Sequence, residues 1–555
     1  MGFSLPYLIP MVYLIVLVFI GIALAKRQET RSDFFVASNK MNSGVLFTTI
    51  FSTVVGANTY MGFSGMVFND GFSMTWLLVA AGSAYFVLFF ISGKLRRIAS
   101  KHEVFTLPDM MELRYSRPVA LVTTIFSLVA LVGGAGGSIL GVGVILNSVI
   151  GIDTTVAILI TSVVTILYTT FGGLMGVALT DWVQSMIMIA GLILVILFGF
   201  QALSDDANVF NATLDGAEIL STAVGGEVLS FTEGMTFLMV IAWAITFLPL
   251  NTISQTQMQR VYAAKSERVI QRISLLMVIF VALFMAFGLA LVGVLGKAIT
   301  PTLENPETVF PILAMEVINP WIGMVIITGI LGACMSTVDS NLLSAGIHVS
   351  RDMYEHGKKA AGKPVDEKQS IKITRITLVV IGALSTVAAI FTPSIMELLL
   401  VTMHIFAGAT FAPVIIGLYW KRATSGGAML GLLLGGISTI IAEIIHSTLD
   451  PVIIGIIFSI LGVIVGSLLT KANFEKGSLF AFKTVDSKDY KFLFMIAGVY
   501  VLFLLGLTSL SFWTPLILLT IAGLIFSLIM LTIYIFPSKR KAGYVSKSNG
   551  KSQLH

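Results

Sequence analysis

Apolar residues run along this chain in blocks of roughly 20, the length a helix needs to cross the hydrocarbon layer. Short polar stretches separate the blocks. Fifteen are readable, at about 5–25, 44–68, 72–93, 118–150, 154–171, 178–203, 235–252, 273–296, 320–350, 376–392, 396–420, 425–446, 451–470, 492–509 and 515–536, and are numbered here as spans 1 to 15. The pattern predicts an all-α polytopic membrane protein. No interval has room for a folded soluble domain, and no G-x-x-x-x-G-K-[ST] phosphate loop occurs, so kinase, nuclease and nucleotide-hydrolysing modules are excluded. Span 4 is kept whole despite G-G-A-G-G at 133–137, which suits close helix packing or a bend. Dividing it inverts the charge alternation downstream. Residues 309–317 are apolar but too short to span, and predict an outer hairpin or surface helix.

Composition agrees: 56% of the 555 residues are hydrophobic and 11% charged, against about 45–50% and about 25% in soluble proteins. Charge then orients the spans. Of 34 Lys and Arg residues, 33 fall in alternate loops: four in 26–43, six in 94–117, four in 260–272, seven in 351–375, two in 421–422, five in 471–491 and five in 538–551, the exception being Lys297. By the positive-inside rule those loops face the cytoplasm. The N-terminus is then outside, the C-terminus inside, and the expected location is the plasma membrane. Stretch 204–233, the longest outer loop, carries six acids and no Lys or Arg. The net charge of +5 reflects this inner bias and implies no nucleic-acid partner. The first residues lack the basic region and cleavage site of a signal peptide, so span 1 is expected to stay. The single cysteine, Cys334, excludes an internal disulfide. The basic residues of 351–375 read as a solvated loop near anionic lipid, and the polar tail from Lys539 as disordered.

Chemistry concentrates at A-C-M-S-T-V-D-S-N, residues 333–341, inside span 9. Lipid offers these oxygens no partner, so they face protein, water or an ion. Ser336, Thr337, Ser340 and Ser344 share one helical face, which suits an ion or solute path. The segment Y-T-T-F-G-G-L-M-G-V-A-L-T-D-W-V-Q, 168–184, permits a tight turn at Gly172 and Gly173 between spans 5 and 6. Asp181 then either caps span 6 or points inward as a cation ligand.

This last segment resembles the signature of the sodium:solute symporter family. So do L-P-D-M-M-E-L-R-Y at 107–115, Q-R-V-Y-A-A-K-S at 259–266, M-S-T-V-D-S at 335–340 and G-L-Y-W-K-R-A-T-S-G-G-A at 417–428, in order from about residue 30 to 450. The resemblance implies a core of two inverted five-helix repeats, at 44–203 and 234–420. An extra helix and first loop (1–43) precede it, the outer loop 204–233 divides it, and C-terminal helices (421–536) and a tail (537–555) follow. The first helix of each repeat should be broken at mid-membrane. Gly56 within S-T-V-V-G-A-N-T-Y and Pro249 within F-L-P-L-N mark the expected breaks in spans 2 and 7.

By similarity to the family site, sodium is ligated by carbonyls of Ser52, Val55 and Ala333 and hydroxyls of Ser336 and Thr337. A second cation site is implied at Asp181, Asp339 and Ser340, with Asp339 standing where the family has a hydroxyl. Solute contacts are implied at Asn58, Thr59, Phe247, Asn251 and Gln255, with His404 a further titratable group. Proline carriers of the family have an acid in the span 2 break where this chain has Val54. The expectation is a sodium-coupled symporter, active as a monomer, with sodium, lipid and a small-molecule solute as its partners and no cofactor. A proton-coupled carrier titrating at Asp181, Asp339 or His404 competes with it. A membrane sensor and a channel follow, and an enzyme is disfavoured because no nucleophile-and-base or metal constellation emerges. Glu443 and His446 are expected at the outer interface.

Overall fold

Polar caps decide where the apolar runs become helices. Thr106, Asp153, Asn319, Ser394 and Asp450 each accept a hydrogen bond from a backbone N–H in the first turn that follows, satisfying an orphan donor. Pro320 and Pro451 take the first helical position behind two of these caps, where a missing N–H costs nothing. The structure, a computed structural model, describes residues 5–25, 31–37, 41–56, 58–204, 208–392, 394–480, 487–507 and 513–535. The expected tail, 537–555, and the side chain of Asn58 lie outside the described residues.

Among the described residues no strand occurs. Ten helices are long and apolar enough to cross a membrane, eleven if the bent pair Phe237–Ile253 and Gln255–Ala263 is one span. Shorter apolar helices at Leu5–Leu17, Ser43–Val54, Thr154–Thr170 and Leu516–Ile525 occupy the places of spans 1, 2, 5 and 15. On length alone, therefore, the count of fifteen is not reached.

Helical residues run from Thr154 to Leu203, 50 in all, which as a straight rod is about 75 Å against about 30 Å of hydrocarbon. Gly173 breaks the rod at a kink, with φ 53° and ψ −173°, a conformation closed to residues with a Cβ. Before it, Ile158 packs at Gly143 of span 4 and Tyr168 reaches Asp339. After it, Gln184 packs at Gly332, Ile187 at Gly329 and Gly191 at Ile326. Along span 9 the partners of span 6 thus recede from residue 332 to 326, so spans 6 and 9 run in opposite directions.

The break in span 2 lies where it was expected: helix Ser43–Val54 ends, Val55 and Gly56 leave helical geometry, and Asn58–Phe63 resumes as a π-turn. The break in span 7 does not. Pro249 stays inside helix Phe237–Ile253, and the 43° bend comes at Ser254, after which Gln255–Ala263 continues. The turn before the bend is wide, because the Ser254 N–H reaches back five residues to the Pro249 carbonyl at 3.1 Å. Span 7 therefore extends well beyond residue 252 and takes Arg260 out of the loop. The apolar stretch 309–317 forms helix Val309–Glu316, which is packed inward: Val309, Phe310 and Leu313 are buried and Phe310 meets Tyr60 edge to face.

Among the basic loops, helix Leu107–Arg114 locks onto the end of span 9. Asp109 takes Arg351 at 3.1 Å and His356 Nε2 at 2.7 Å, while His356 Nδ1 meets Glu112 at 2.7 Å. Thr106 donates to Asp352, which also holds His348 at 2.7 Å. Arg351 is thus buried, not part of a solvated loop. Burial raises the Asp109 carboxyl, but the Arg351 guanidinium and the His356 ring outweigh it and hold it below its ordinary 3.8. The hydrogen bond with His356 holds Glu112 below its ordinary 4.5.

Depressed carboxylates contribute stability that is complete above their ordinary values and is lost as pH falls through the folded ones. Glu112→Gln should therefore lower the melting temperature at neutral pH, and the gap to the parent chain should close as pH drops below about 4.5. Melting curves of the two proteins across that range test this; a pH-independent gap counts against the latch.

Candidate functional site

The span 2 break lies against the polar stretch of span 9. Ser336 Oγ lies 3.0 Å from the Ser52 carbonyl and 2.9 Å from that of Ala333. Thr337 Oγ1 lies 3.2 Å from the Ala333 carbonyl and 3.4 Å from that of Thr53. Two hydroxyl protons thus face three carbonyls, an excess of oxygen lone pairs of the kind unwound membrane helices offer to sodium. Gly56 makes the approach possible, because a Cβ there would collide with the Thr337 hydroxyl. Of the expected ligands, Ser52, Ala333, Ser336 and Thr337 converge. Val55 lies at the break and lines the cavity beside it, and the Thr53 carbonyl joins a set in which it was not foreseen.

One layer away, Arg260 is fully buried. Its Nη2 donates to Thr53 Oγ1 at 2.6 Å, to Ser340 Oγ at 2.7 Å and to Thr49 Oγ1 at 3.3 Å, and its Nη1 to the Thr256 carbonyl at 2.9 Å. Asp181 accepts from Thr49 at 2.6 Å, and Asp339 accepts from Tyr168 at 2.8 Å and Ser340 at 3.3 Å. Asp181 thus points inward and is not a cap. Both carboxylates are fully buried and attract the guanidinium electrostatically. The three expected residues of the second cation position do come together, around a cation the chain itself supplies. Arg260 was missed because the loop charge count assigned it to the cytoplasm; the Q-R pair inside a polar run directly after an apolar one was the available signal.

Beside the sodium-type oxygens lies a cavity of about 70 Å³ bounded by spans 2, 3, 4, 7, 8, 9 and 11. Thr59, Phe247 and Asn251 line it, as expected of solute contacts. Gln255 does not: its amide accepts from Leu107 N at 2.9 Å and donates to the Phe105 carbonyl at 3.2 Å, tying span 7 to the basic-loop latch. Gln257 lines the cavity instead, two residues further on. His404 is also elsewhere, with Nδ1 on Glu443 at 2.6 Å and Nε2 3.9 Å from Asp450, and Glu443 stays partly exposed at the end of helix Ser425–Ile444.

Removing the guanidinium takes the shared countercharge from two buried acids. Arg260→Gln should cost about 3–5 kcal/mol, the range for stripping one partner from a buried pair. Asp339→Asn in the same chain should recover part of it. Denaturant melts of the single and double variants measure the coupling, and strictly additive losses would separate Arg260 from Asp339.

The geometry agrees with what the chain is similar to. The model of the sodium:solute symporter family matches residues 34–435. The chain is 26% identical to the sodium/pantothenate symporter of Escherichia coli (strain K12) over 480 residues, covering 84% of this chain and 96% of that protein. It is 28% identical to the sodium/proline symporter of Haemophilus influenzae over 481 residues, covering 83% and 93%. Among solved structures, a substrate-bound, outward-open Na⁺-coupled sialic acid symporter superposes with a TM-score of 0.70 at 20% identity, covering 85% of this chain and 99% of that one, which shows the shared fold. With spans broken at 55–56 and 254 and a family match across most of its length, this multi-pass membrane protein belongs to the sodium:solute symporter family.

Proposed function

We propose that this protein imports a small organic solute coupled to sodium by alternating access, with the basic loops and latch on the cytoplasmic side. The observation that carries this reading is the meeting of the Ser52, Thr53 and Ala333 carbonyls with the Ser336 and Thr337 hydroxyls at the span 2 break. Sodium replaces the hydroxyl protons as the partner of those carbonyls, with Val55 O as a further ligand, and so fixes span 2 against span 9. That contact shapes one wall of the cavity, because Thr337 and Gly56 line both. Sodium and solute then favour each other's binding by one shared factor. When the latch around Asp109 and Arg351 opens, both leave towards the cytoplasm.

The cluster of Asp181, Asp339 and Arg260 favours a second reading for the same fold. Two carboxylates and one guanidinium leave one negative charge unmatched, which a second sodium or a proton neutralises. A Hill coefficient for sodium above one assigns it to sodium. Uptake driven by a pH gradient in sodium-free buffer assigns it to protons.

Ser336→Ala and Thr337→Ala should each raise the half-saturating sodium concentration about tenfold, the loss of one hydrogen bond's worth of charge-assisted ligation. Sodium-titrated uptake into proteoliposomes measures it. Unchanged sodium activation in both variants removes the site.

A further inference from the structure

Among the described residues the cavity walls bear no Asp, Glu, Lys, Arg or His side chain. Three amides line the cavity, Asn251, Gln257 and Asn341, and the first two each hold a buried atom without a hydrogen-bond partner. Asn251 is 1% exposed; its Nδ2 donates to the Ala81 carbonyl at 2.8 Å, which fixes the orientation of the amide, and its Oδ1 accepts nothing from the protein. Gln257 is 3% exposed, and its Nε2 donates to nothing in the protein. An orphaned buried amide atom loses the full desolvation term of that group, and here one acceptor and one donor are orphaned on one wall, on either side of the span 7 bend. The other polar groups around the cavity are Asn341 and four threonine hydroxyls, and the remainder is apolar, from Phe247 and Leu250 to Met396 and Met403.

We propose that the transported solute presents an uncharged amide- or urea-type group to this wall, its carbonyl accepting from Gln257 and its adjacent N–H donating to Asn251, and that compounds with a free ammonium group are rejected. The proposal rests on the symporter reading and adds the substrate class. The physical reason is asymmetric. An amide satisfies both orphans and needs no counter-ion. An ammonium drawn from water into a wall without a carboxylate meets a desolvation cost of several kcal/mol, and a site built on hydrogen bonds discriminates strongly against ligands that leave its polar groups unpaired. The space of about 70 Å³ is under half the roughly 150 Å³ that accommodates benzene in an engineered cavity. The solute is therefore small or enters as Met396 and Met403 swing aside, a movement their unbranched, flexible side chains suit.

The test uses the purified full-length protein in nanodiscs, with thermal stability read in sodium and in choline. The probes are 2-pyrrolidinone, 2-imidazolidinone and propionamide as uncharged amides and ureas, with pyrrolidine, proline and alanine as ammonium-bearing counterparts. At least one amide or urea should stabilise the protein in sodium and not in choline, more strongly than every amine. Gln257→Leu and Asn251→Leu should weaken that binding about tenfold while keeping stabilisation by sodium alone, which shows that both variants fold. Binding of proline or alanine in preference to the amides overturns the proposal, as does the absence of any amide shift or an unaltered amide affinity in both variants. A parent protein that sodium alone fails to stabilise over choline defeats the symporter reading itself, so the two failures are told apart.

Discussion

A guanidinium cannot stay in a membrane-embedded core without partners, and the middle of this protein is organised around that requirement. Arg260 sits on span 7, yet its hydrogen bonds go to span 2 through Thr49 and Thr53 and to span 9 through Ser340, with Asp181 of span 6 and Asp339 of span 9 supplying countercharge. Four spans are held in register by one side chain. Buried ion clusters add little net stability over apolar packing but are costly to break, so this one fixes which helices touch more than how tightly they do so. Thr53 shows the consequence: its hydroxyl serves Arg260 and its carbonyl faces Thr337. The sodium-type oxygens and the charged cluster are therefore two sides of the same helix end.

The two halves of span 7 divide the remaining work. Ahead of the bend, Phe247 and Asn251 face the cavity. Beyond it, successive positions turn by about 100° on the helix axis, so Gln255 and Gln257 point in quite different directions. Gln255 holds the loop at Phe105 and Leu107, and Gln257 reaches the cavity. A movement of this half-helix shifts cavity wall, charged cluster and latch together. That is the kind of shared element through which ion and solute sites influence one another.

Much of this was legible in the chain because lipid is an unforgiving solvent. Ser336 and Thr337 stood out since hydroxyls at that depth have few uses, and Gly56 because a break needs a residue without a Cβ against its neighbour. Arg260 was misplaced because span 7 was ended at residue 252, whereas the helix tolerates Pro249, bends at Ser254 and runs on to Ala263. Gln255 came from the resemblance, and it stands directly after that bend, where the direction of each side chain depends on the bend itself. His404 was misread because its partner Glu443 is 39 positions away on the next span, a pairing that no local pattern signals.

The sequence by itself determined the order of the apolar runs, the alternation of basic loops, the interruption at Gly173 and the polar stripe of span 9 set against the span 2 break. Each follows from the transfer of short segments between water and hydrocarbon, a property that sums along the chain. Only the tertiary structure decided that Arg260 is the cation between Asp181 and Asp339, that Gln257 rather than Gln255 faces the cavity, and that Arg351 closes a latch on Asp109. Those are matters of which buried group meets which across space. In a medium without water, partnership is settled by packing angle and helix rotation, and neither is written in hydropathy.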